Sequence, residues 1–442
     1  MMKIKDINIS RLQGVLVLFA RLIVGVTFIA SGFAKAVDPW GTVYKFADYV
    51  GILGIASLEP LITFGAFALP LVEFLLGVFV LFGLYRRMAP MALVVVMLVL
   101  TPLTFYLAVT DRMADCGCFG DVVVLSNWAT FFKNLVLCVP IGYLVLRNRR
   151  IDCLYGPGVQ WLVWAASMAF VLAIEYWGYT TQPLIDFRPF NVGEALYVGP
   201  QSDIDADEEF VFVYTKNGVK REFTVDSLPD DDWEFVERRV ANLEPIDYAA
   251  LRSGVVILDE GIDRTAELLD PDGEQLIFVF SDLSKISISA TYIINELNEF
   301  ANRRGVSTFG VAMDEPAAIE RWNDISMAQY PMYEMDDTEM KMLVRGNPGL
   351  VYLKDGKVVW KRALGAISPE LMQNSEATMM SIVADFDEHK ALNYSVGAYL
   401  LALIVILLIN RTHKVVKFST ERIKKNHKKD VTLQEENEET NN

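Results

Sequence analysis

Cysteine and histidine are both scarce in this chain, which has four cysteines and three histidines among 442 residues. The stretch 179–393 has no cysteine, so it is not a disulfide-stapled small domain and cannot carry out thiol chemistry by itself. No histidine precedes His389, which argues against a histidine-ligated haem in the apolar part of the chain. The chemistry of the protein must therefore be sought at its few cysteines.

Long apolar runs, in contrast, are abundant, and 52% of the residues are hydrophobic. A helix needs about 20 apolar residues to cross the hydrocarbon core of a bilayer. Six runs meet this requirement and are predicted to span a membrane: 14–36, 61–84, 88–110, 128–146, 159–178 and 394–409. A cleavable signal is the alternative for the first run, but its apolar core is longer than that of a usual signal peptide.

Lysine and arginine cluster in short segments on one side of these spans. They occur at 3–11, 86–87, 147–150 and 411–429. Because positive charge in short loops marks the cytoplasmic side, both termini are predicted to be cytoplasmic, with the protein in a bacterial inner membrane. The loop that carries Cys116 and Cys118 and the soluble segment 179–393 are then periplasmic.

The net charge of −16 is distributed unevenly. Acidic residues prevail in the soluble segment 179–393, which argues against nucleic acid as a partner. The basic stretch 414–429 follows the last span directly, so it is assigned to contact with anionic membrane lipid.

The second half of the soluble segment alternates between strand and helix patterns. Strands are predicted at 276–280, 308–312, 349–353 and 358–362, with an edge strand at 330–332 and helices at 288–304, 316–324 and 337–345. This order predicts an α/β fold with a mixed sheet. Upstream, the turn Asn217-Gly218 predicts a β-hairpin over 210–225, and a further β segment is predicted at 255–258.

The predicted fold class is a membrane α-helical bundle joined to a periplasmic α/β domain. Its parts are a four-helix membrane domain at 1–150, a fifth transmembrane helix at 151–180, a β-rich periplasmic connecting region at 181–270, an α/β domain at 271–392, and a sixth transmembrane helix with a basic tail at 393–442. The segment 35–60 is predicted to be an outer loop between the first two spans.

Cys116 and Cys118 stand one residue apart in the stretch Asp115-Cys116-Gly117-Cys118-Phe119-Gly120-Asp121, at the outer end of the third span. A disulfide between them would close a very small strained ring, which makes the oxidised form easier to reduce. Three interpretations remain open: a reversible dithiol/disulfide couple, a structural clip that holds the loop, or a metal site. The metal interpretation is the weakest because zinc requires four ligands. Cys116 and Cys118 are the candidate catalytic residues.

Charged residues inside predicted spans are functional candidates, because placing a charge in hydrocarbon is costly. Arg21 and Glu73 fall near mid-depth of the first two spans and are predicted to form a buried pair. That pair would either line a small-molecule pocket or lock the two helices together. Three charged residues near the outer ends of their helices are assigned to the membrane interface in preference to a catalytic role: Lys35, Asp38 and Lys133. Glu175, beside Tyr176 and Trp177, is assigned to an interfacial belt and not to a proton relay.

Several motifs of the first third of the chain resemble a known family. They are Ser31-Gly32-Phe33-Ala34-Lys35-Ala36-Val37-Asp38-Pro39, the acidic Glu73, the DCGCFGD stretch, Asn127-Trp128 and Phe132-Lys133-Asn134. Together they resemble the DoxX-like and MauE-like membrane proteins over about residues 12–150. The resemblance implies a four-helix inner-membrane bundle and, for the MauE branch, a role in periplasmic disulfide formation beside a thioredoxin-like partner.

The segment from 276 to about 366 resembles a thioredoxin-like fold. Asn347-Pro348-Gly349 stands where that fold has an active-site-facing and usually cis proline. The loop 281–287 has no cysteine, although a redox thioredoxin has its Cys-x-x-Cys there. The resemblance therefore implies a binding domain without redox activity of its own.

The leading functional hypothesis is thiol–disulfide exchange in the periplasm, in which Cys116 and Cys118 exchange electrons with a dithiol or thioredoxin-like partner. The protein would then be a thiol–disulfide oxidoreductase. No cofactor is evident from the residues; likeness to other disulfide-handling bundles implies a quinone, for which the sequence has no motif. The alternative is a non-enzymatic envelope scaffold whose α/β domain binds a protein.

Overall fold

The computed structural model describes residues 2–55, 60–113, 117–123, 125–196, 210–216, 219–224, 234–240, 254–269, 272–313, 316–383 and 387–412. The chain divides into two compact units. The membrane unit comprises Met1–Phe187 and Asp385–Asn442, and the α/β unit comprises Arg188–Ala384.

Within the described residues of the membrane unit, six helices are long and apolar enough to cross a membrane. The helices of this unit are α1 (Met2–Val37), α2 (Pro39–Leu53), α3 (Ile62–Phe82), α4 (Met88–Thr110), α5 (Asn127–Leu146), α6 (Gln160–Thr180) and α12 (Glu388–Thr412). All of them except α2 correspond to predicted spans, which confirms a multi-pass membrane protein. The largest difference is in α1, which begins 12 residues before the predicted start at 14, and α12 begins six residues before the predicted start at 394.

The segment 35–60 was predicted to be a loop, and this is wrong because it contains helix α2. Asp38 accepts a hydrogen bond from the Gly41 backbone N–H at 2.9 Å, and Pro39 occupies the first helical position. Both are common helix-start signals, since the cap satisfies a free N–H and proline has none to lose. Asp38 is therefore a helix cap, whereas the sequence assigned it to the membrane interface.

Helices α1 and α3 approach each other closely through glycines. A Cβ atom added to Gly32 would lie 2.5 Å from the Phe74 backbone nitrogen, and one added to Gly77 would lie 2.6 Å from the Ile29 nitrogen. Small residues let helix backbones come this near in a membrane, where hydrophobic association is absent. The close contact determines which side chains of α1 face which side chains of α3.

The α/β unit is built on a mixed sheet, as the sequence predicts. Its described strands follow the order β11-β10-β7-β8-β9-β5-β6. They are β5 (Ile257–Asp259), β6 (Ile262–Asp263), β7 (Glu274–Phe280), β8 (Ser307–Ala312), β9 (Met332–Met335), β10 (Gly349–Lys354) and β11 (Lys357–Ala363). Strand β8 is parallel to β7 and β9, whereas β10 is antiparallel to β7 and β11.

Helices cover this sheet. Successive side chains of its central strand point to opposite faces. The helices are α7 (Thr265–Leu268), α8 (Ile288–Asn302), α9 (Pro316–Ser326), α10 (Asp337–Leu343) and α11 (Pro369–Met372). In β7, Phe278 and Phe280 belong to one hydrophobic core, while Ile277 and Val279 belong to the other. This is the two-residue alternation of a strand that is buried on both sides.

Two details of the predicted sheet need correction. Strand β9 spans Met332–Met335 and is not an edge strand, because β5 pairs with its free side. The hairpin of β5 and β6 belongs to the same sheet, so the sheet extends upstream of the predicted domain boundary at 271. The predicted boundary was placed at the turn before β7. A local turn signal gives no information on pairing between segments that are distant in sequence.

A second sheet consists of β2 (Phe210–Lys216), β3 (Val219–Thr224) and β4 (Glu234–Val240) in the described order β3-β2-β4. Strands β2 and β3 pair antiparallel with Lys216 opposite Val219, which confirms the predicted hairpin. Its predicted turn residues, Asn217 and Gly218, lie outside the described residues. Strand β4 was not predicted.

Candidate functional site

The Cys-Gly-Cys loop lies between α4 and α5, and its second cysteine begins the short strand β1 (Cys118–Asp121). Cys116 lies outside the described residues, so the predicted Cys116–Cys118 couple stays a prediction. Gly117 has a φ of +60° and Gly120 a φ of +55°. This left-handed region favours glycine, which has no Cβ atom.

The loop is closely covered on two sides. A Cβ atom at Gly117 would lie 3.1 Å from the Lys45 side chain of α2, and one at Gly120 would lie 3.4 Å from the Ala34 carbonyl oxygen of α1. Larger residues at either position would meet both an unfavourable φ and a neighbouring helix. The loop is therefore seated against the C-terminal end of α1 and the middle of α2.

A buried cluster of three side chains binds the backbone of Cys118. Lys35 and Ser31 of α1 both donate to the Cys118 carbonyl oxygen, Ser31 Oγ at 2.7 Å. The Lys35 Nζ atom also lies 2.8 Å from Glu73 Oε2 of α3 and donates to Ser31 Oγ at 2.8 Å. Ser31 Oγ is in turn 2.8 Å from Glu73 Oε2. We call these residues, Ser31, Lys35 and Glu73, the ion-pair cluster.

Every N–H of the Lys35 ammonium is used in the ion-pair cluster. An ammonium group has three donors, and Lys35 directs them to the carboxylate, the hydroxyl and the loop carbonyl. The Lys35 side chain is 7% exposed and that of Glu73 is 3% exposed. Two charges removed from water require such complete hydrogen bonding to be tolerated. Lys35 is thus a buried member of the site, and its assignment to the membrane interface was wrong.

The predicted pair of Arg21 with Glu73 is not formed. Arg21 Nε lies 3.1 Å from the Val80 carbonyl oxygen, and its Nη2 lies 2.7 Å from that of Leu81. These carbonyls belong to the last turn of α3, where a positive charge complements the helix dipole. Arg21 and Lys35 are 14 residues apart on one helix, which is about 21 Å. The ligand-binding role assigned to Arg21 and Glu73 stays a prediction.

Helix α5 contributes a second lysine at the loop. Lys133 Nζ lies 4.6 Å from the centre of the Phe119 ring, a distance at which the cation is attracted by the ring face. Next to it, Asn134 donates to Thr104 Oγ1 of α4 at 3.2 Å, and Asn127 donates to the Met113 carbonyl oxygen at 2.7 Å. These contacts join α5 to α4 and to the chain entering the loop. Lys133 therefore contacts the loop, whereas the sequence assigned it to the interface.

Glu175 of α6 is buried, and its predicted place at the membrane interface is wrong. It was assigned to an interfacial belt with Tyr176 and Trp177, but it is only 1% exposed, whereas Tyr176 is 64% exposed. Neighbouring residues of a helix point about 100° apart, so membership of an aromatic stretch does not determine burial.

In the α/β unit, the cysteine-free loop 281–287 faces a cis peptide bond between Asn347 and Pro348, as predicted for that proline. Asn347 Nδ2 donates to the Asp282 carbonyl oxygen at 2.6 Å, so the two segments touch. Burial alone raises the pKa of the Asp282 carboxyl, but hydrogen bonds from Ser284 and the 2.9 Å ion pair with Lys285 lower it below its ordinary value. Asp282 is therefore an anion that orders this loop.

These features define a multi-pass membrane protein that carries an α/β unit with a mixed sheet. Residues 13–147 match the family model of the methylamine utilisation protein MauE, so the membrane unit is MauE-like over that range. This confirms the MauE part of the predicted resemblance, while the DoxX part stays a prediction. Residues 208–241, which include β2, β3 and β4, match a domain of unknown function, DUF8463. Of the residues in the motifs that carry the resemblance, Ser31 and Lys35 bind the Cys118 carbonyl, Glu73 binds Lys35, and Lys133 lies over the Phe119 ring.

No curated protein matches the chain. Among solved structures, the bacterioferritin comigratory protein of Xanthomonas campestris, described in a study of alkyl peroxide reduction, is 10% identical. The match covers 34% of this chain and 91% of that chain with a TM-score of 0.20.

Proposed function

We propose that this protein takes part in thiol–disulfide exchange at the periplasmic face of a bacterial inner membrane, with Cys116 and Cys118 as the reacting pair. The observation that carries the proposal is the binding of the Cys118 carbonyl to the buried ion-pair cluster. A loop held by a charged group inside a helix bundle presents its side chains in a defined position, which exchange chemistry requires.

The exchange has two steps. A thiolate of a partner dithiol attacks one sulfur of the Cys116–Cys118 disulfide, so that a mixed disulfide forms and the other cysteine leaves as a thiolate. The second partner thiolate then attacks the partner's own sulfur in the mixed disulfide and releases the pair. Two electrons pass from the partner to Cys116 and Cys118, which take up the two protons of the partner thiols.

The ion-pair cluster fixes the position of the loop and adds little net electrostatic field at its cysteines. A lysine beside a cysteine lowers the cost of forming a thiolate. Here, however, Glu73 lies 2.8 Å from the Lys35 ammonium and offsets most of its field. Lys35 is therefore a positioning residue for the Cys118 backbone, and Lys133 against Phe119 supports the same loop from α5.

The α/β unit is proposed to be thioredoxin-like and to dock the dithiol partner. Its support is the mixed sheet together with the contact between Asn347, which precedes the cis proline, and the loop 281–287. Since that loop has no cysteine, the unit recognises a partner without exchanging electrons itself. A quinone in the membrane is the proposed acceptor of the electrons that the cysteine pair collects.

Alkylation trapping in intact cells tests the proposal. The wild type should show both oxidation states of the cysteine pair, and Cys118→Ser should accumulate a mixed disulfide through Cys116. Cys138→Ser, which changes a cysteine inside α5, is the matched control and should trap nothing. A pair that stays oxidised in the wild type and traps no partner in Cys118→Ser would instead favour the scaffold alternative.

A membrane-impermeant maleimide tests the compartment separately. It should label Cys116 and Cys118 in spheroplasts after reduction, and it should label Cys153 only after the membrane is broken. The opposite pattern would place the cysteine pair in the cytoplasm and exclude periplasmic exchange.

A further inference from the structure

Glu175 is a buried carboxyl group that the proposed thiol chemistry does not use. It lies in α6, within a span, with 1% of its surface exposed. Among the described residues, neither Oε1 nor Oε2 has a hydrogen-bond partner. Glu73 offers the contrast within the same bundle, because its Oε2 receives a hydrogen bond from the Lys35 ammonium.

Glu175 lies in the same layer of the bundle as the ion-pair cluster. A Cβ atom at Gly178 of α6 would lie 2.6 Å from the Val37 carbonyl oxygen of α1, so these two residues are level. With a rise of about 1.5 Å per residue, Glu175 lies about 4.5 Å below Gly178, and Lys35 lies about 3 Å below Val37. Both residues are therefore within one helical turn of the same depth.

The ionisable groups of the neighbouring helices do not neutralise Glu175. Helices α1, α2, α3 and α12 pack against α6. On α1 and α3 the ionisable groups of this layer, Lys35 and Glu73, bind each other. On α12, the Tyr399 hydroxyl is bonded to Ser167 at 2.8 Å. The polar groups of α2 that can ionise are Tyr44, Lys45, Asp48 and Tyr49, and none of them is bonded to Glu175.

A carboxylate without a partner is not tolerated in such surroundings. Moving an isolated ionised carboxylate into an apolar medium costs far more than the stability of a folded domain, so the group takes up a proton instead. We propose that Glu175 is a proton-binding site inside the membrane unit, occupied by a proton in this conformation. The site is independent of the cysteine pair, and its test does not rely on thiol exchange.

A neutral acid in an apolar site has a characteristic reaction with dicyclohexylcarbodiimide. The acid proton passes to a carbodiimide nitrogen while a carboxyl oxygen bonds to the central carbon, and the acyl group then migrates to nitrogen. All atoms are retained in the resulting N-acylurea. An ionised carboxylate held by a lysine lacks the proton for the first step, and the apolar reagent reaches both sites through the bilayer.

The experiment uses the full chain in liposomes at neutral pH, treated with dicyclohexylcarbodiimide and analysed by peptide mass spectrometry. We expect an adduct on Glu175 and none on Glu73, with complete loss of the Glu175 adduct in Glu175→Gln. An unmodified Glu175, or equal modification of both residues, overturns the proposal. This readout is obtained on the wild type, so it does not depend on the folding of a variant.

Infrared spectroscopy provides a second readout without a reagent. At neutral pH, the C=O stretch of a neutral carboxylic acid should be present in the wild type, lost in Glu175→Gln and retained in Lys35→Met/Glu73→Leu, which lacks the carboxylate of Glu73. Loss of this band in Glu175→Gln supports the proposal, and an unchanged band in that variant overturns it.

Discussion

Lys35 and Glu73 form a 2.8 Å ion pair across the interface of α1 and α3, and the same ammonium donates to the carbonyl oxygen of Cys118. The pair therefore links helix packing to the position of the cysteine loop. Because both side chains are buried, a change at either residue alters both the stability of the fold and the position of the cysteine loop.

Removing the charge of Glu73 should destabilise the protein strongly. Glu73→Gln leaves the buried Lys35 ammonium without its counter-ion, for which we expect a loss of about 3–5 kcal/mol in unfolding free energy. The double variant Lys35→Met/Glu73→Leu leaves no buried charge and should regain most of that loss. Tryptophan fluorescence during denaturation in detergent measures both. A Glu73→Gln protein as stable as the wild type would contradict the buried ion pair.

Charge exchange should distinguish the observed pair from the one that the sequence predicts. Lys35→Glu/Glu73→Lys should be more stable than either of its single variants, because opposite charges still meet between α1 and α3. Arg21→Glu/Glu73→Arg should show no such recovery, since Arg21 binds the Val80 and Leu81 carbonyls instead. The readout is the coupling energy of each double-mutant cycle. Recovery of stability only in the Arg21–Glu73 double-mutant cycle would contradict the observed packing register of α1 and α3.

The close contact of α1 with α3 should not tolerate a methyl group at Gly32. Its Cβ would lie 2.5 Å from the Phe74 nitrogen and 2.6 Å from the Pro70 carbonyl oxygen, so the helices must separate. We expect Gly32→Ala to lower the unfolding free energy by about 1–3 kcal/mol. Gly14→Ala on the same helix is the matched control, because no atom lies within 4 Å of its added Cβ. Equal stability of the two variants would contradict the contact.

Acid should loosen the pairing of β7 with β10. Hydrogen bonds from Tyr352 at 2.6 Å and from Lys354 at 2.9 Å lower the pKa of Glu274 below its ordinary value of 4.5. A lowered pKa in the folded state means that the stabilisation is present above pH 4.5 and is lost as the pH falls through the lower folded value. The effect should be below about 1 kcal/mol, because the Glu274–Lys354 pair is partly exposed to solvent.

Hydrogen exchange of the full chain, followed by mass spectrometry across this pH range, measures that loosening. Protection of β10 should fall with acid in the wild type and change less in Tyr352→Phe/Lys354→Met, which lacks both donors to Glu274. An equal fall in both proteins would assign the acid response to other groups.

The sequence singled out the charged residues of the site but not the geometry in which they meet. Lys35, Glu73 and Lys133 were all recognised as unusual, because charges inside or beside apolar runs stand out. Their partners were not recognised, since charge pairing between helices depends on the register in which the helices pack. That register follows from the close contacts of Gly32 and Gly77. The residue types of α1 and α3 do not show which residues make these contacts.

Helix α2, strand β4 and the burial of Glu175 were missed for different reasons. Asp38-Pro39 was a readable start signal for α2, but it stood in a segment treated as a loop. Strand β4 is mostly polar, so its apolar pattern is weak, and it is recognised through its pairing with β2. The burial of Glu175 depends on the rotation of α6 about the helix axis, and the neighbouring helices of the bundle determine that rotation.

The amino-acid sequence alone determined the membrane spans and the alternation of strands and helices over 276–362, because apolar length and periodicity are local properties of a chain. It also located the cysteine loop at the end of α4. The tertiary structure alone decided that Lys35 binds Glu73 and Cys118, and that Glu175 is buried without a partner. These outcomes depend on how helices that are distant in sequence pack together. The free energy of each contact depends on both partners, and the sequence does not show which residues become partners.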